Sequence, residues 1–280
     1  MSREAIEGLG SPLAVRVDFH EEIDSTQRRA RELAQRGAPH GTLVVSKVQK
    51  GGRGRLGRRW GSPPGGIWIS LVLRPEVPAR FASRITQTAA VGIAKALWNF
   101  GIEARIKWPN DLLVVKPGEP EGHKICGILA ESSAENVPVA AKRTNPVPGD
   151  ARLDFVVLGV GLNANLDPED LGVRDREVAT LRSELGRDAD PLDVLGGILR
   201  HLHAELERIH DFAAILDDWR TLSLTLGEEV RVRRSGEVIQ GRALDIGPGG
   251  ELHLQTDKSL VELHEGEVEQ VRQDVGGRAV

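Results

Sequence analysis

The alternation of apolar and polar residues changes period several times along the chain, and each change marks an element. Leu13 to Phe19 alternates with period two, as a half-buried strand does, and Asp24-Ser25-Thr26 then offers N-cap side chains to a helix over Gln27 to Arg36 that Gly37 stops. Thr42 to Val48 and Ile67 to Leu73 are β-branched, apolar-rich runs bounded by Gly or Pro, and they predict strands. Ala79 to Phe100 repeats at helical spacing up to Gly101, and Ala104 to Ile106, Leu112 to Val115, Lys124 to Ala130 and Leu153 to Leu162 follow as short strand candidates. Pro191 to Leu222 predicts a second long helical block. After Gly227 the pattern becomes short strands between the turn signals Ser235-Gly236, Gly247-Pro248-Gly249-Gly250 and Glu265-Gly266, room for roughly fifty residues of small β-barrel. The stretch from Ser132 to Asp150 is polar and aperiodic and predicts a loop or mobile hairpin tip without assigned chemistry.

Composition narrows the class. At 280 residues, a large domain with a small one is the natural division, and 40% apolar with 28% charged residues is ordinary for a globular protein. No apolar run approaches the roughly 20 residues that span a bilayer, and the acidic start Met-Ser-Arg-Glu-Ala-Ile-Glu does not read as a signal peptide, so the expected compartment is the cytoplasm, without a membrane partner. The single cysteine, Cys126, excludes an intrachain disulfide and a Cys/His metal cluster. A net charge of −4 argues against a polycation that grips nucleic acid. Charge is nevertheless concentrated locally: Lys50, Arg53, Arg55, Arg58 and Arg59 stand together with no acid among them, a local anion site.

That basic segment contains G-x-G-x-x-G at Gly52, Gly54 and Gly57 after a predicted strand, but Gly61-Ser62-Pro63-Pro64-Gly65-Gly66 follows, where no helix can start to meet a pyrophosphate. No Gly-Lys-Ser/Thr closes a P-loop either. What remains is a loop whose backbone can approach a ligand closely while its arginines offer planar donors to carboxylate or phosphate. A solvated basic turn is the bland alternative. Downstream, Ile106-Lys107-Trp108-Pro109-Asn110-Asp111 runs from a strand end into a stiff corner carrying a cation, an amide and a carboxylate, which a generic turn would also use. Lys124 opens an apolar strand, as a snorkelling lysine would. Gly159-Val160-Gly161-Leu162-Asn163 reads as a strand edge near a ligand, with Asn163 facing a phosphate or forming a turn.

In this order, Asp24-Ser25-Thr26, the Gly52-Arg53-Gly54-Arg55-x-Gly57-Arg58 loop, Lys107-Trp108-Pro109-Asn110-Asp111, Lys124-x-x-Gly127-Ile128-Leu129 and Gly159-x-Gly161-x-Asn163 resemble the biotin protein ligases, the biotin–[acetyl-CoA-carboxylase] ligase family, from about Val15 to Val271. The resemblance implies an α+β fold: a mixed sheet with helices, related to class II tRNA synthetases, over 1–222, and a small SH3-like β-barrel over 223–280. It implies activation of biotin with ATP and Mg²⁺ to biotinyl-5′-AMP, then transfer to a lysine of a biotin carboxyl carrier domain. Arg55, Lys107 and Lys124 would be catalytic. Ser25, Thr26, Gln27, Gln49, Arg53, Gly54, Arg55 and Lys124 would bind biotin. Arg53, Arg55, Arg58, Trp60, Lys107, Asn110, Asp111 and Asn163 would bind ATP, with Asp111 holding the metal.

The chain departs from the family pattern at Gln27, where Asn is frequent, at Lys50-Gly51 and at Cys126. Members that also repress transcription need roughly sixty residues ahead of Asp24 for a winged helix-turn-helix; twenty-three stand there, so a ligase without DNA binding is expected. A lipoate ligase is the nearest enzymatic competitor. A nucleic-acid-binding module is the competitor from another class, but five Phe, five Trp and no Tyr supply few stacking platforms. A homodimer through an exposed sheet edge is left open.

Overall fold

A computed structural model of the chain describes residues 1–116, 119–134, 152–171, 178–234 and 236–271. The larger part contains α1 (Arg3–Glu7), β1 (Arg16–Ile23), α2 (Thr26–Gln35), β2 (Thr42–Gln49), β3 (Ile67–Leu73), α3 (Ser83–Trp98), β4 (Ala104–Lys107), β5 (Asp111–Lys116), β6 (Glu119–Ala134), β7 (Leu153–Leu162), α4 (Leu181–Leu185), α5 (Pro191–Glu207) and α6 (Phe212–Leu222). Its strands form one sheet of order β1-β2-β3-β7-β6-β5-β4. β1 and β2 are parallel, because α2 carries the chain back between them, and the other neighbours are antiparallel.

Strand periodicity assigns the two faces. On β3, Ile67, Ile69, Leu71 and Leu73 join the main core with α3, α5 and α6, while Val72 joins Val44 and Val157 under Ala30, Leu33 and Ala34 of α2. Helices thus cover both faces, which is why β3 reads as an apolar run. Ser25 caps α2 by accepting the Arg28 N–H, and Asp190 with Pro191 opens α5. Lys95 of α3 binds Glu205 of α5 and Asp218 of α6, both at 2.7 Å, and ties the three helices together.

The smaller part is an antiparallel sheet of β8 (Glu229–Arg234), β9 (Glu237–Ile246), β10 (Leu252–Gln255), β11 (Leu260–Leu263) and β12 (Glu267–Gln270), in the order β11-β10-β9-β8-β12. It is the SH3-like unit, with its hydrogen-bonded ladder open between β11 and β12. The turn before β10 is one of its attachments to the larger part. Trp108 donates its indole N–H to the Gly250 carbonyl at 3.1 Å, and Arg84, stacked between Phe81 and Phe212, donates to the Pro248 carbonyl.

Several boundaries differ from the sequence pattern. Pro12–Ala14 is a 3₁₀ turn and the first strand begins at Arg16, because Ser11 accepts the Leu13 N–H and Pro12 opens the turn. The Ala79–Phe100 helix divides into a 3₁₀ turn, Ala79–Phe81, and α3. The block at Pro191–Leu222 is two helices broken at Arg208–Asp211, with Asp211 capping the second. α4, capped by Thr180 and Ser183 reciprocally, was not foreseen. β6 begins at Glu119 and runs through Ser132 and Ser133, so only the rest of the predicted Ser132–Asp150 loop, residues 135–150, lies outside the described residues, as does Ser235 of the predicted turn. Among the described residues no helix is long and apolar enough to cross a membrane.

Candidate functional site

A cavity of about 890 Å³ opens beside the N-terminus of α2, over β3, β7 and β6, and below the loop from β2 to β3 and the start of β12. Ser25, Thr26, Gln27, Gln49, Arg53, Gly54, Arg55, Arg58, Trp60, Lys107, Asn110, Asp111, Lys124 and Asn163 all line it. The fold therefore brings every residue expected to bind biotin, ATP or metal to one cavity, whereas Lys50 of the basic run does not line it and pairs with Glu22 at 2.5 Å.

The floor is polar, neutral and internally paired. Gln49 Oε1 accepts the Thr26 backbone N–H at 2.9 Å, and its amide donates to Ser62 Oγ at 2.9 Å. Thr26 Oγ1 lies 3.0 Å from Gln49 Oε1 and 2.9 Å from Ser70 Oγ. Ser70 donates to Gln27 Oε1 at 3.1 Å, and the Gln27 amide donates to the Val157 carbonyl at 3.1 Å and to Glu131 at 3.0 Å. Walls of Ile69, Leu129 and Val160 complete this end.

The opposite end is cationic. Lys124 Nζ lies 2.7 Å from Asp111 Oδ1 and 4.9 Å from the centre of the Trp60 ring. The indole rests on Gly127 of β6 and Gly161 of β7, which are register partners. A Cβ at Gly127 would come within 2.9 Å of the ring and one at Gly161 within 2.6 Å of its nitrogen, so only glycine admits the side chain there. The sequence pattern placed Gly159 and Gly161 at a strand edge. They stand instead on β7, a central strand between β3 and β6, because β6 returns antiparallel beside it.

Arg55 donates to Asn110 Oδ1 at 3.1 Å and to the Gly266 carbonyl at 3.3 Å, and Asn110 in turn donates to the Ile128 carbonyl. Burial lowers the Arg55 guanidinium from its ordinary value, against the opposing charges of Asp111, Glu265 and Glu267. Arg58 is ion-paired with Glu267, so the glycine-arginine loop is held down from the smaller sheet. At its tip Leu56 has φ 56° and is 69% exposed. Asn163 donates to the Lys124 and Ala179 carbonyls, leaving Oδ1 as its remaining group. Cys126 is buried and its thiol is pushed up by desolvation, which removes it as a thiolate nucleophile.

Sequence reasoning missed Ser70, Glu131, Gly266 and Glu267. Ser70 was signalled by a hydroxyl inside the apolar run Ile67–Leu73; Gly266 and Glu267 line the cavity only through tertiary contacts, and Glu131 touches it only through Gln27. As for a metal, among the described residues no group of three or more His, Cys, Asp or Glu side chains could hold one. Asp111 nevertheless offers a carboxylate to the cavity, with its Oδ1 paired to Lys124 Nζ at 2.7 Å. One carboxylate suits Mg²⁺, which takes most of its ligands from substrate phosphates and water.

The biotin/lipoate A/B protein ligase family model matches residues 19–141, and the biotin protein ligase C-terminal domain model matches residues 225–270. The bifunctional ligase/repressor BirA of Bacillus subtilis is 33% identical over 259 residues, covering 90% of this chain and 73% of that protein. The biotin–[acetyl-CoA-carboxylase] ligase of Paracoccus denitrificans is 32% identical over 240 residues, covering 83% and 91%. Among solved structures, the biotin protein ligase from Aquifex aeolicus in complex with biotin and ATP superposes with a TM-score of 0.71 at 26% identity, over 92% of this chain and all of that one.

Proposed function

The chain belongs to the biotin protein ligase family, and from that premise we propose how its cavity activates biotin with ATP and passes it to a lysine of a biotin carboxyl carrier domain. The observation that carries the reading is one cavity with a neutral, hydrogen-bonding floor at one end and Arg55, Lys107 and Lys124 at the other. Biotin has the same division: a neutral ureido bicycle, an apolar tail and a terminal carboxylate. The floor takes the bicycle and the Ile69, Leu129 and Val160 walls take the tail, which leaves the carboxylate among the cations.

In the first step a biotin carboxylate oxygen attacks the α-phosphorus of ATP. The bond to the β-phosphate oxygen breaks and its electron pair leaves with pyrophosphate. Two anions have to meet, so fixed cations are the means of lowering the barrier. Lys124 is held by Asp111 and the Trp60 face where that carboxylate arrives. Arg55 and Lys107 flank it, Asn110 orients Arg55, and Asn163 Oδ1 is an acceptor for the nucleotide. A Mg²⁺ ion brought with ATP would supply further charge neutralisation, and Asp111 would be its protein donor. In the second step the acceptor amine attacks the acyl carbon, AMP leaves and the amine gives up a proton. The loop over Arg53, Arg55 and Arg58 keeps water from the mixed anhydride.

On this reading residues 1–222 bind biotin and ATP, residues 223–280 clamp the loop and face the acceptor, and the reaction takes place in the cytoplasm. The test is pyrophosphate release from ATP and Mg²⁺ with biotin or lipoate, in the intact chain and in Arg55→Ala and Lys124→Ala. Release with biotin alone, lost in both variants, is expected; no biotin-dependent release from folded protein overturns the reading.

A further inference from the structure

The floor is one end of a chain of hydrogen bonds that leaves the cavity. From Gln27 it passes to Glu131 Oε2 at 3.0 Å, and Arg31 Nη2 holds the same oxygen at 2.9 Å on the surface of α2. Glu131 does not line the cavity; it stands on β6 two residues beyond Leu129, opposite Val157 on β7. Three acceptors, the Val157 and Leu129 carbonyls and the Glu131 carboxylate, face the Gln27 amide nitrogen. Turned the other way, the amide would set its oxygen against all three, one of them an anion. Gln27 Oε1 is therefore fixed toward Ser70.

That orientation propagates. The single hydroxyl proton of Ser70 is engaged by Gln27, so the Ser70 contact with Thr26 is satisfied when Thr26 donates to Ser70. The one Thr26 hydroxyl proton is then divided between two acceptors, Ser70 Oγ at 2.9 Å and Gln49 Oε1 at 3.0 Å, while Gln49 Oε1 also accepts the Thr26 backbone N–H. The floor at Thr26, Ser70 and Gln49 consequently carries more acceptor lone pairs than hydroxyl protons, the polarity required by a ligand head that carries N–H donors.

We propose that Glu131, steadied by Arg31, is a positioning residue that fixes the Gln27 amide from outside the cavity and so sets the hydrogen-bond polarity of the floor for the N–H groups of biotin. The inference rests on the functional reading above, in which the bicycle occupies the floor. A carboxylate offers acceptors only, and the donor-only guanidinium of Arg31 at 2.9 Å would hold an amide oxygen at position 131 in the same place.

The experiment measures initial rates of pyrophosphate release on the full chain, varying biotin and ATP separately, for Glu131→Ala, Glu131→Gln and Arg31→Ala, with Tm for each. Removing a charged acceptor from the relay is expected to raise KM for biotin about five- to tenfold in Glu131→Ala, with kcat and KM for ATP within about twofold, a split that a general structural defect would not give. Arg31→Ala leaves the carboxylate in place and should move KM for biotin about twofold, in the same direction. Glu131→Gln retains an oxygen that can accept from Gln27 and should recover most of the loss. Unchanged KM for biotin in Glu131→Ala, or equal rises for biotin and ATP, overturns the inference. So does Glu131→Gln as defective as Glu131→Ala. Should Glu131→Ala not fold, Arg31→Ala decides by the same biotin-to-ATP comparison. Intact chain without biotin-dependent release overturns the parent reading and this one with it, whereas normal release with unmoved variants overturns this one alone.

Discussion

At the α2 end of the cavity, Thr26, Gln27, Ser62 and Ser70 are buried with every side-chain polar atom partnered, while at the other end Trp60 Nε1 and Asn163 Oδ1 are buried without a hydrogen bond. The floor is finished before a ligand arrives, and its neighbours fix which groups donate and accept. The cationic end holds Lys124 by one ion pair and one ring face and leaves polar atoms unmet, at a cost that a bound anion and nucleotide would offset. A neutral bicycle is best met by fixed dipoles, and a charge-forming step by cations already in place. The two ends should therefore respond differently to substitution.

The largest effect is expected at the cationic end. Lys124→Ala should lower kcat for adenylate formation by about 10²–10³-fold, as for loss of a preorganised charge, with KM for biotin changed much less; steady-state pyrophosphate release separates the two. A comparable fall in a floor variant would erase the distinction. Gly161→Ala tests the slot under Trp60, where the new Cβ falls 2.6 Å from the indole nitrogen. Displacing the ring moves Lys124 with it, and kcat/KM should fall about 10–100-fold, accompanied by a change in Trp fluorescence.

Floor substitutions should act through binding and stability. Ser70→Ala leaves Gln27 Oε1 without its donor, which costs about 1–3 kcal/mol of stability, read in a denaturant titration, and KM for biotin should rise about tenfold at nearly constant kcat. Between the two ends, Arg58→Glu should raise KM for both substrates severalfold by repelling Glu267, and the paired Arg58→Glu/Glu267→Arg exchange should restore part of the loss. Failure of the exchange would show that the loop is not clamped through this pair.

The smallest effect lies outside the cavity and serves as its control. Burial alone pushes the Asp218 carboxyl up, but Lys95 and Arg208 hold it below the ordinary carboxylate range. Its folded value lies below the unfolded one, so its contribution is present above the unfolded value near pH 4 and is lost as pH falls through the folded value. Asp218→Asn should lower Tm modestly at neutral pH and flatten the acid limb of Tm against pH, with pyrophosphate release unchanged.

The cationic end was legible before any coordinates, because Lys50 to Arg59 without an acid and Lys107-Trp108-Pro109-Asn110-Asp111 are contiguous strings whose chemistry shows in their composition. The floor was legible only in part. Ser25, Thr26 and Gln49 came from the family resemblance, while Ser70 sat unnoticed in an apolar run and Glu131 in the tail of a strand. Ser70 lies 44 positions from Thr26 and Glu131 lies 104 from Gln27, so no local pattern joins them. The glycine slot was seen as two strings of small residues; that Gly127 and Gly161 oppose each other followed from the β6–β7 register.

The sequence by itself determined the elements that depend on neighbours a few positions away: the strand at Ile67–Leu73, the capped helix after Ser25, the stop at Gly101 and the arginine-glycine loop that cannot open a helix. Short-range propensity, capping and burial pattern suffice for these. Tertiary structure decided the break between α5 and α6, the central place of β7, the grip of Gly266 and Glu267 on Arg55 and Arg58, and the relay from Glu131 to Gln49. Each of these depends on strand register and on packing between segments far apart in the chain, and a hydrogen bond exists only where both partners have been brought within about 3 Å by everything folded between them.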